Sequence, residues 1–334
     1  MATTLVFVAA FCLIAVLVYM GRYSGRVRLQ QCRLVDAPIA KVFTQVAGLG
    51  YWQGWCPWLD GVPDAARSLS GASNAQGSTL RWHSAKASEG LVEHLQLVEH
   101  KRIVQTVRLK HPFTVGGRAT WTFTECDGKT EVTWSMQARV AFSMRAFAAT
   151  VKGALALDMR YGLDRLASLL EPANAPRYAI TYEGIHDVAR CRYVYRSYSG
   201  PISALAGEMT ASFSSLKQQL AACGVAPQGE PIAVYVKTNI KLRTTVCHLG
   251  LPVGDADVGE MPVREMPAQR AFVVRLRGGY GALELAWYLA MQRITVDGLR
   301  ADQRIAPFER YHVGAETALE NDYLTDLHIA SVAT

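Results

Sequence analysis

The second half of the chain contains the same order of elements twice, and this internal repeat constrains the fold most strongly. Each copy has an alternating strand-like segment, a glycine turn, an apolar helix, a glycine stop and a Pro-x-x-x-Tyr strand. The copies begin at residues 192–198 and 269–277 and end at residues 231–235 and 307–311. Because neither can bury a core alone, we expect the two to pair about a pseudo-twofold axis. The helices would cover one side of a joined sheet and leave the opposite, concave face free for a ligand.

The chain before the repeat has a different order: strand, short helix, several strands and one long helix. Residues 26–35 alternate as a strand, and Asp36 is placed to cap a helix over residues 39–46. Asp127-Gly128, between two alternating segments, predicts a hairpin. Apolar residues at three-to-four spacing then predict a long helix that ends at Leu170.

Residues 1–25 are predicted to form a membrane anchor. Every residue from Leu5 to Met20 is apolar or aromatic, and the uncharged stretch of about nineteen residues would span roughly 28 Å as a helix. No basic residue precedes the stretch, which argues against a cleaved signal peptide. Four arginines follow it before the first acidic residue, Asp36. The positive-inside rule therefore predicts a single-pass, bacterial-type inner-membrane protein, inserted through residues 4–21, with its domains in the cytoplasm.

The remaining chain divides at a linker. Residues 171–177 (EPANAPR) carry two prolines between periodic segments. They separate a first domain, residues 26–171, from a second, residues 178–334, and each is long enough to bury its own core. With 50% hydrophobic and 19% charged residues, the composition excludes disorder. The predicted fold class is α+β, with a transmembrane helix before two domains.

The first domain resembles the polyketide cyclase/dehydrase (START-like, SRPBCC) superfamily, which has a helix-grip fold. The residues that carry the resemblance are Asp36-Ala-Pro, Trp55-Cys-Pro-Trp58, Thr133-Trp-Ser-Met136 and Gly162-Leu163. The resemblance implies a cavity between sheet and long helix that holds an apolar ligand. Trp52, Trp55 and Trp58 either line the mouth of that cavity or pack in the core.

The histidines of the first domain do not form a catalytic set. They fall on different strands or strand ends, without metal-ligand spacing, and we expect them at the surface or at sheet edges. They are His83, His94, His100 and His111.

The second domain resembles the GyrI-like effector-binding domain over residues 179–332. The matching residues are Tyr198-Ser-Gly-Pro201, Pro231-Ile-Ala-Val-Tyr235, Arg277-Gly-Gly-Tyr-Gly-Ala-Leu283, Trp287 and Pro307-Phe-Glu-Arg-Tyr311. The chain departs from the family in two ways: residues 314–321 lack a proline, and no helix-turn-helix region is attached. Transcription activation is therefore not predicted.

The resemblance implies a ligand site around Glu309. In the family a buried glutamate at this position meets cationic aromatic ligands, and a carboxylate among aromatic rings favours cations on physical grounds. The predicted ligand-binding residues are Glu309, Tyr311, Tyr195, Tyr235, Trp287 and Tyr288. The alternative is an exposed strand carboxylate paired with Arg310 or Arg275.

These features predict a membrane-anchored cytoplasmic protein that senses or sequesters hydrophobic or cationic small molecules. One alternative is a hydrolase or cyclase that uses Glu309 or the helix-grip cavity, and another is a membrane adaptor that uses its long helices. No metal or cofactor is predicted, because the seven cysteines form no C-x-x-C pair and no phosphate-binding loop occurs. The net charge is +7, but the basic residues are scattered along the sequence, so no nucleic-acid partner is predicted.

Overall fold

The computed structural model describes residues 21–22, 24–63, 66–85, 88–111, 113–171, 178–240, 242–314 and 317–333. The predicted anchor segment, Leu5 to Met20, lies outside the described residues. Within the described ranges, no helix combines the length and apolar character needed to cross a membrane. The chain divides into two compact units, residues 1–175 and 176–334. Both have a mixed α+β architecture with an antiparallel sheet, as predicted.

The first unit is a seven-stranded sheet that contacts a long helix. Its strands are β1 (Arg26–Val35), β2 (Arg67–Ser70), β3 (Thr79–His83), β4 (Glu89–Val98), β5 (Arg102–His111), β6 (Val115–Cys126) and β7 (Lys129–Val140). Their order across the sheet is β1-β7-β6-β5-β4-β3-β2. A short helix, α1 (Ile39–Ala47), follows β1, and the long helix, α2 (Ala148–Leu170), closes the unit. Buried residues on α2 at three-to-four spacing, including Leu155, Met159 and Leu163, pack into the same core as the sheet.

Two local predictions for this unit have different outcomes. The hairpin is confirmed: Cys126 pairs with Lys129, and Asp127 and Gly128 both have the positive φ of a tight turn. The prediction that Asp36 caps α1 is wrong. Pro38 occupies the N-cap without a side-chain hydrogen bond, so the helix begins beyond the reach of Asp36. The Asp36 carboxylate instead accepts a hydrogen bond from Lys129 Nζ at 2.9 Å.

The second unit has a sheet whose strand order reflects the sequence repeat. Its strands are β8 (Tyr178–Val188), β9 (Cys191–Pro201), β10 (Ile232–Asn239), β11 (Thr244–Pro252), β12 (Val263–Met266), β13 (Gln269–Gly278), β14 (Leu299–Ala301), β15 (Phe308–Val313) and β16 (Leu324–Ala333). Helix α3 (Ile202–Ala222) follows β9, and α4 (Leu283–Val296) follows β13. The order is β12-β9-β11-β10-β15-β16-β13-β8, with β14 beside β16. The two copies therefore meet at β10 and β15. Each copy's first strand pairs with the strand that follows its Pro-x-x-x-Tyr strand, β9 with β11 and β13 with β16.

The strands that precede the two copies are exchanged. Strand β8 comes before the first copy but pairs with β13 of the second, whereas β12 comes before the second copy but pairs with β9 of the first. Only two residues join β8 to β9 and β12 to β13. Such links span about 10 Å, so the sheet must curl until its two edges approach each other.

The curl overturns the prediction of a free, concave ligand face. The face away from the helices is the inside of the curl, and a cluster of side chains that are at most 7% exposed fills it. Its members are Val188, Tyr193, Ile232, Val234, Met266, Ala271 and Phe308. Alternation in the sequence predicted the two faces of the sheet. It did not predict the two-residue links β8–β9 and β12–β13, which curl the sheet and enclose one face.

Candidate functional site

Glu309 lies on the helix-covered face of the second unit. Its cross-strand neighbours are Ala233 on β10 and Leu327 on β16, and both belong to the clusters that pack beneath α3 and α4. Because side chains alternate along a strand, Tyr311 points to the same face as Glu309, and Tyr235 shares the face of Ala233. The β-strand period thus places a carboxylate between two tyrosines.

Three neutral donors bind the Glu309 carboxylate. The Tyr235 hydroxyl and the Trp287 indole N–H donate to Oε1, at 2.9 and 2.5 Å. The Tyr311 hydroxyl donates to Oε2. Two donors come from strands of different repeat copies and the third from α4, so the site depends on the pairing of the copies.

The surroundings of Glu309 disfavour its ionised form. Glu309 is fully buried, and burial raises the pKa of its carboxyl even though the three donors act in the opposite direction. No charged group among the described residues contributes to this shift. Burial, reinforced by the negative Glu309, also raises the pKa of Tyr235 and Tyr311, so both hydroxyls remain donors.

Aromatic and thioether groups surround the carboxylate. Trp287 meets Tyr235 edge-on at 5.6 Å between ring centroids, and Tyr280 meets Tyr311 in the same way at 5.6 Å. The Tyr311 hydroxyl also lies 3.8 Å from Sδ of Met209. Tyr235, Trp287 and Tyr280 are only partly buried, so the aromatic wall reaches the surface on one side.

The structure brings together four of the six predicted site residues. Tyr195 lies on the opposite face, stacked on His248 at 4.1 Å, and its place in the predicted site is wrong. Tyr288 follows Trp287 on α4, so its side chain projects about 100° around the helix from the indole. The sequence prediction missed Tyr280 and Met209, although Tyr280 stands within the Arg277–Leu283 motif.

The alternative ion pairs for Glu309 do not form. The Arg310 guanidinium lies over the Phe308 ring at 5.8 Å, and Arg275 makes two 2.8 Å hydrogen bonds to Asp326. By strand alternation these residues belong to the other face of the sheet. Asp326 thus has the cationic partner that Glu309 lacks.

The region between sheet and helix in the first unit is packed with tryptophan. Trp121 and Trp134 stack at 4.2 Å, Trp55 meets both rings edge-on, and Trp52 and Trp58 adjoin them. Each of the five is at most 5% exposed, so Trp52, Trp55 and Trp58 are core residues. A pocket of about 200 Å³ lies beside this core, lined by Leu49, Gly50, Gln53, Leu59, Arg67, Leu69 and Leu80.

His94 is the centre of a buried polar chain, which corrects its predicted position at the surface or edge. The side chain is 1% exposed, and its Nε2 donates to the Ala47 carbonyl at 2.8 Å. Nδ1 is then left to accept from the Gln105 amide at 3.3 Å, and Gln105 Oε1 accepts from Trp121 Nε1 at 2.9 Å. Burial lowers the pKa of His94, so the ring is neutral and fully bonded.

The described residues contain no group of three or more His, Cys, Asp or Glu side chains arranged to hold a metal ion. The Glu309 site itself offers one buried carboxylate with phenol and indole donors.

One family model matches the first unit. Residues 26–171 match the family model described as polyketide cyclase / dehydrase and lipid transport, which confirms that resemblance. No curated protein matches the chain.

Similar solved structures include the C-terminal domain of EcmrR, with 16% identity and a TM-score of 0.39 over 47% of this chain and 99% of that one. SAV2435, solved with tetraphenylphosphonium, gives 12% identity and a TM-score of 0.35 over 46% of this chain and 94% of that one. An uncharacterized protein from Rhizobium leguminosarum gives 20% identity and a TM-score of 0.35 over 44% of this chain and 95% of that one. The GyrI-like assignment of the second domain stays a prediction.

Proposed function

We propose that this chain is a membrane-anchored small-molecule-binding protein that senses or sequesters hydrophobic cations at Glu309. One observation carries the proposal: a fully buried carboxylate is bonded to neutral donors alone, inside an aromatic wall. An ionised carboxylate in such a place lacks the compensation that a cation would provide. A lipophilic cation supplies that charge, and its apolar groups can contact the rings of Trp287, Tyr235 and Tyr280.

The test uses two ions of the same shape and opposite charge, tetraphenylphosphonium and tetraphenylborate. Titration calorimetry of the full chain in mild detergent compares the native protein with Glu309→Gln. The substitution should weaken binding of the phosphonium by about 1–3 kcal/mol, or roughly tenfold to a hundredfold. Binding of the borate should not weaken. Equal losses for both ions would exclude an electrostatic role for Glu309.

The pH dependence of binding supplies a second check. The pKa of Glu309 is raised, so part of the protein carries a neutral carboxyl above the ordinary value of 4.5. A bound cation favours the ionised form, so affinity should rise with pH through the raised pKa and then level off. The variant should show no such rise. Glu309-dependent turnover of an activated ester, without binding of the phosphonium, would instead support the hydrolase.

We also propose that residues 4–21 anchor the chain in the inner membrane with both domains in the cytoplasm. The support is the one-sided arginine distribution after an uncharged stretch. A reporter enzyme fused after Thr334 should be active only if it requires the cytoplasm. Activity of a reporter that functions only in the periplasm would reverse the orientation.

A further inference from the structure

The outer face of the first unit's sheet collects arginines that are far apart in the sequence. Cross-strand neighbours form two rows that run across the strands. The first row is Arg26, Arg139, Gly116, Arg108, Leu91 and Arg81, and the second is Arg28, Gln137, Arg118, Thr106, Glu93 and Thr79. We call the six arginines of these rows the arginine patch. The sequence did not predict this patch, because its arginines are far apart along the chain.

The patch carries unbalanced positive charge. All six arginines are exposed, and none lies within 4 Å of a carboxylate among the described residues. Glu93 is the one acidic residue in the two rows. Arg26 and Arg139 stand directly opposite each other, an arrangement that costs stability in a sheet. Gly116 leaves open space between Arg139 and Arg108.

The patch begins where the chain leaves the predicted anchor. Arg26 is the first residue of β1, and the backbone N–H of Val140 donates to the Gly25 carbonyl at 2.8 Å. The segment after β7 therefore lies at the same end of the sheet, and it exposes Phe142 (43%) and Phe147 (56%). Exposed aromatic residues beside basic ones are typical of protein surfaces at a membrane interface.

We infer that the arginine patch docks the first unit on an anionic phospholipid surface. Arginines beside such a surface gain from its negative potential, and the guanidinium fork matches a phosphate group. A nucleic acid offers the same phosphate chemistry, but the two rows contain no aromatic side chain on which bases could stack. The choice of a membrane rests on the proposed anchor, which would hold this end of β1 close to lipid headgroups.

The experiment measures how fast phenylglyoxal modifies each arginine of the full chain, read by mass spectrometry. The chain is reconstituted in nanodiscs of phosphatidylcholine, with or without phosphatidylglycerol. In the anionic discs, Arg108 and Arg118 should react about fivefold more slowly than in the neutral discs. The protection should disappear at about 0.5 M salt, because screening shortens the range of the attraction.

Arg102 is the matched control, because it is also exposed and lies at the other end of β5, the strand that holds Arg108. Its reactivity should not depend on the lipid. Equal behaviour of Arg102 and Arg108 in both discs would overturn the inference, and protection by a duplex oligonucleotide but not by lipid would replace the membrane with nucleic acid. Failure to enter nanodiscs would count against the anchor alone, and the same footprint with added anionic vesicles would then test the patch.

Discussion

The first and second units each bury polar groups among aromatic rings, yet the two arrangements differ in charge. In the first unit, His94 is neutral, and Gln105 and Trp121 bond to it in a closed chain inside a packed tryptophan core. In the second, Glu309 is ionisable and has neutral donors only. A neutral, satisfied chain stabilises one fold, whereas an uncompensated buried carboxylate carries a cost that the proposed cation would relieve.

A second contrast lies within the second unit, between neighbouring strands. Burial opposes ionisation of the Asp326 carboxyl on β16, but hydrogen bonds from Arg275 and His312 hold its pKa below the ordinary value. Glu309 on β15 has no charged partner among the described residues that shifts its pKa, and burial raises that pKa. Burial alone therefore does not set the direction of a carboxyl pKa shift. Charged partners lower the pKa of Asp326, whereas no charged group among the described residues contributes to the shift of Glu309.

Removing part of the tryptophan core should have the largest effect. Trp134 is fully buried and stacks on Trp121, so Trp134→Ala should lower the free energy of unfolding of the first unit by about 3–5 kcal/mol. Six of the seven tryptophans lie within residues 26–171, so fluorescence during urea unfolding reports mainly on this unit. A loss below about 1 kcal/mol would show that the core is loosely packed and has room for a ligand.

A matched pair of substitutions should isolate the polar chain. Trp121 Nε1 donates to Gln105, whereas Trp134 Nε1 is buried with no acceptor among the described residues. Trp121→Phe should therefore destabilise the first unit by about 1–3 kcal/mol more than Trp134→Phe, because only the former leaves Gln105 Oε1 unbonded. Urea midpoints of the two variants give the difference. Equal losses would mean that the chain adds no stability beyond packing.

Much of both folds could be predicted from local patterns. Alternation and the Asp127-Gly128 turn identified the β6–β7 hairpin, and the repeat identified the helices of the second unit. The strands β8 and β12 were not predicted, although they close the curl. The concave face was therefore described as free when the structure fills it with side chains such as Phe308 and Ile232.

Site residues were predicted correctly where strand alternation alone determines the face of a side chain. They were missed where the pairing register between strands determines it. Tyr311 and Glu309 are two residues apart on one strand, so they share a face in any register. Tyr195 lies on β9, and only the pairing of β9 with β11 reveals that it points away from Glu309. The arginine patch depends on register in the same way, because its residues come from five strands.

Replacing the Glu309 carboxylate with an amide should give the second unit a neutral buried group, as His94 is in the first. The pKa of Glu309 is raised above 4.5 in the folded state. Between 4.5 and the raised pKa, the folded state binds more protons than the unfolded state, so the free energy of unfolding falls as pH rises. Glu309→Gln should remove this slope and make the variant more stable than the native protein at pH 8. The amide fits because its oxygen can accept from Trp287 while the Tyr311 hydroxyl accepts from its NH₂.

The measurement is urea unfolding of the second unit at pH 5 and pH 8 without ligand. Glu309→Met is the control, because it removes both acceptors and leaves the Trp287 N–H unbonded, so it should destabilise by about 1–3 kcal/mol. If Glu309→Gln destabilises equally at both pH values, the carboxylate is a structural group and not a ligand group.

The smallest effect should come from His312, a partner of the Asp326 carboxylate. The His312 ring bonds Asp326 at 2.9 Å and Glu230 at 3.4 Å, and the bond to Asp326 is the main cause of its raised pKa. The stabilisation by protonated His312 is complete below the ordinary value of 6.5 and is lost as pH rises through the raised pKa. His312→Gln should therefore cost less than about 1 kcal/mol at pH 5.5 and almost nothing at pH 9, since the partly exposed ring is screened by solvent. Urea midpoints at the two pH values measure this, and the pH trend should have the same sign as the one expected for Glu309, because the pKa of each group is raised in the folded state. A loss independent of pH would mean that His312 acts through packing, and the contrast between the two carboxylates would then rest on Arg275 alone.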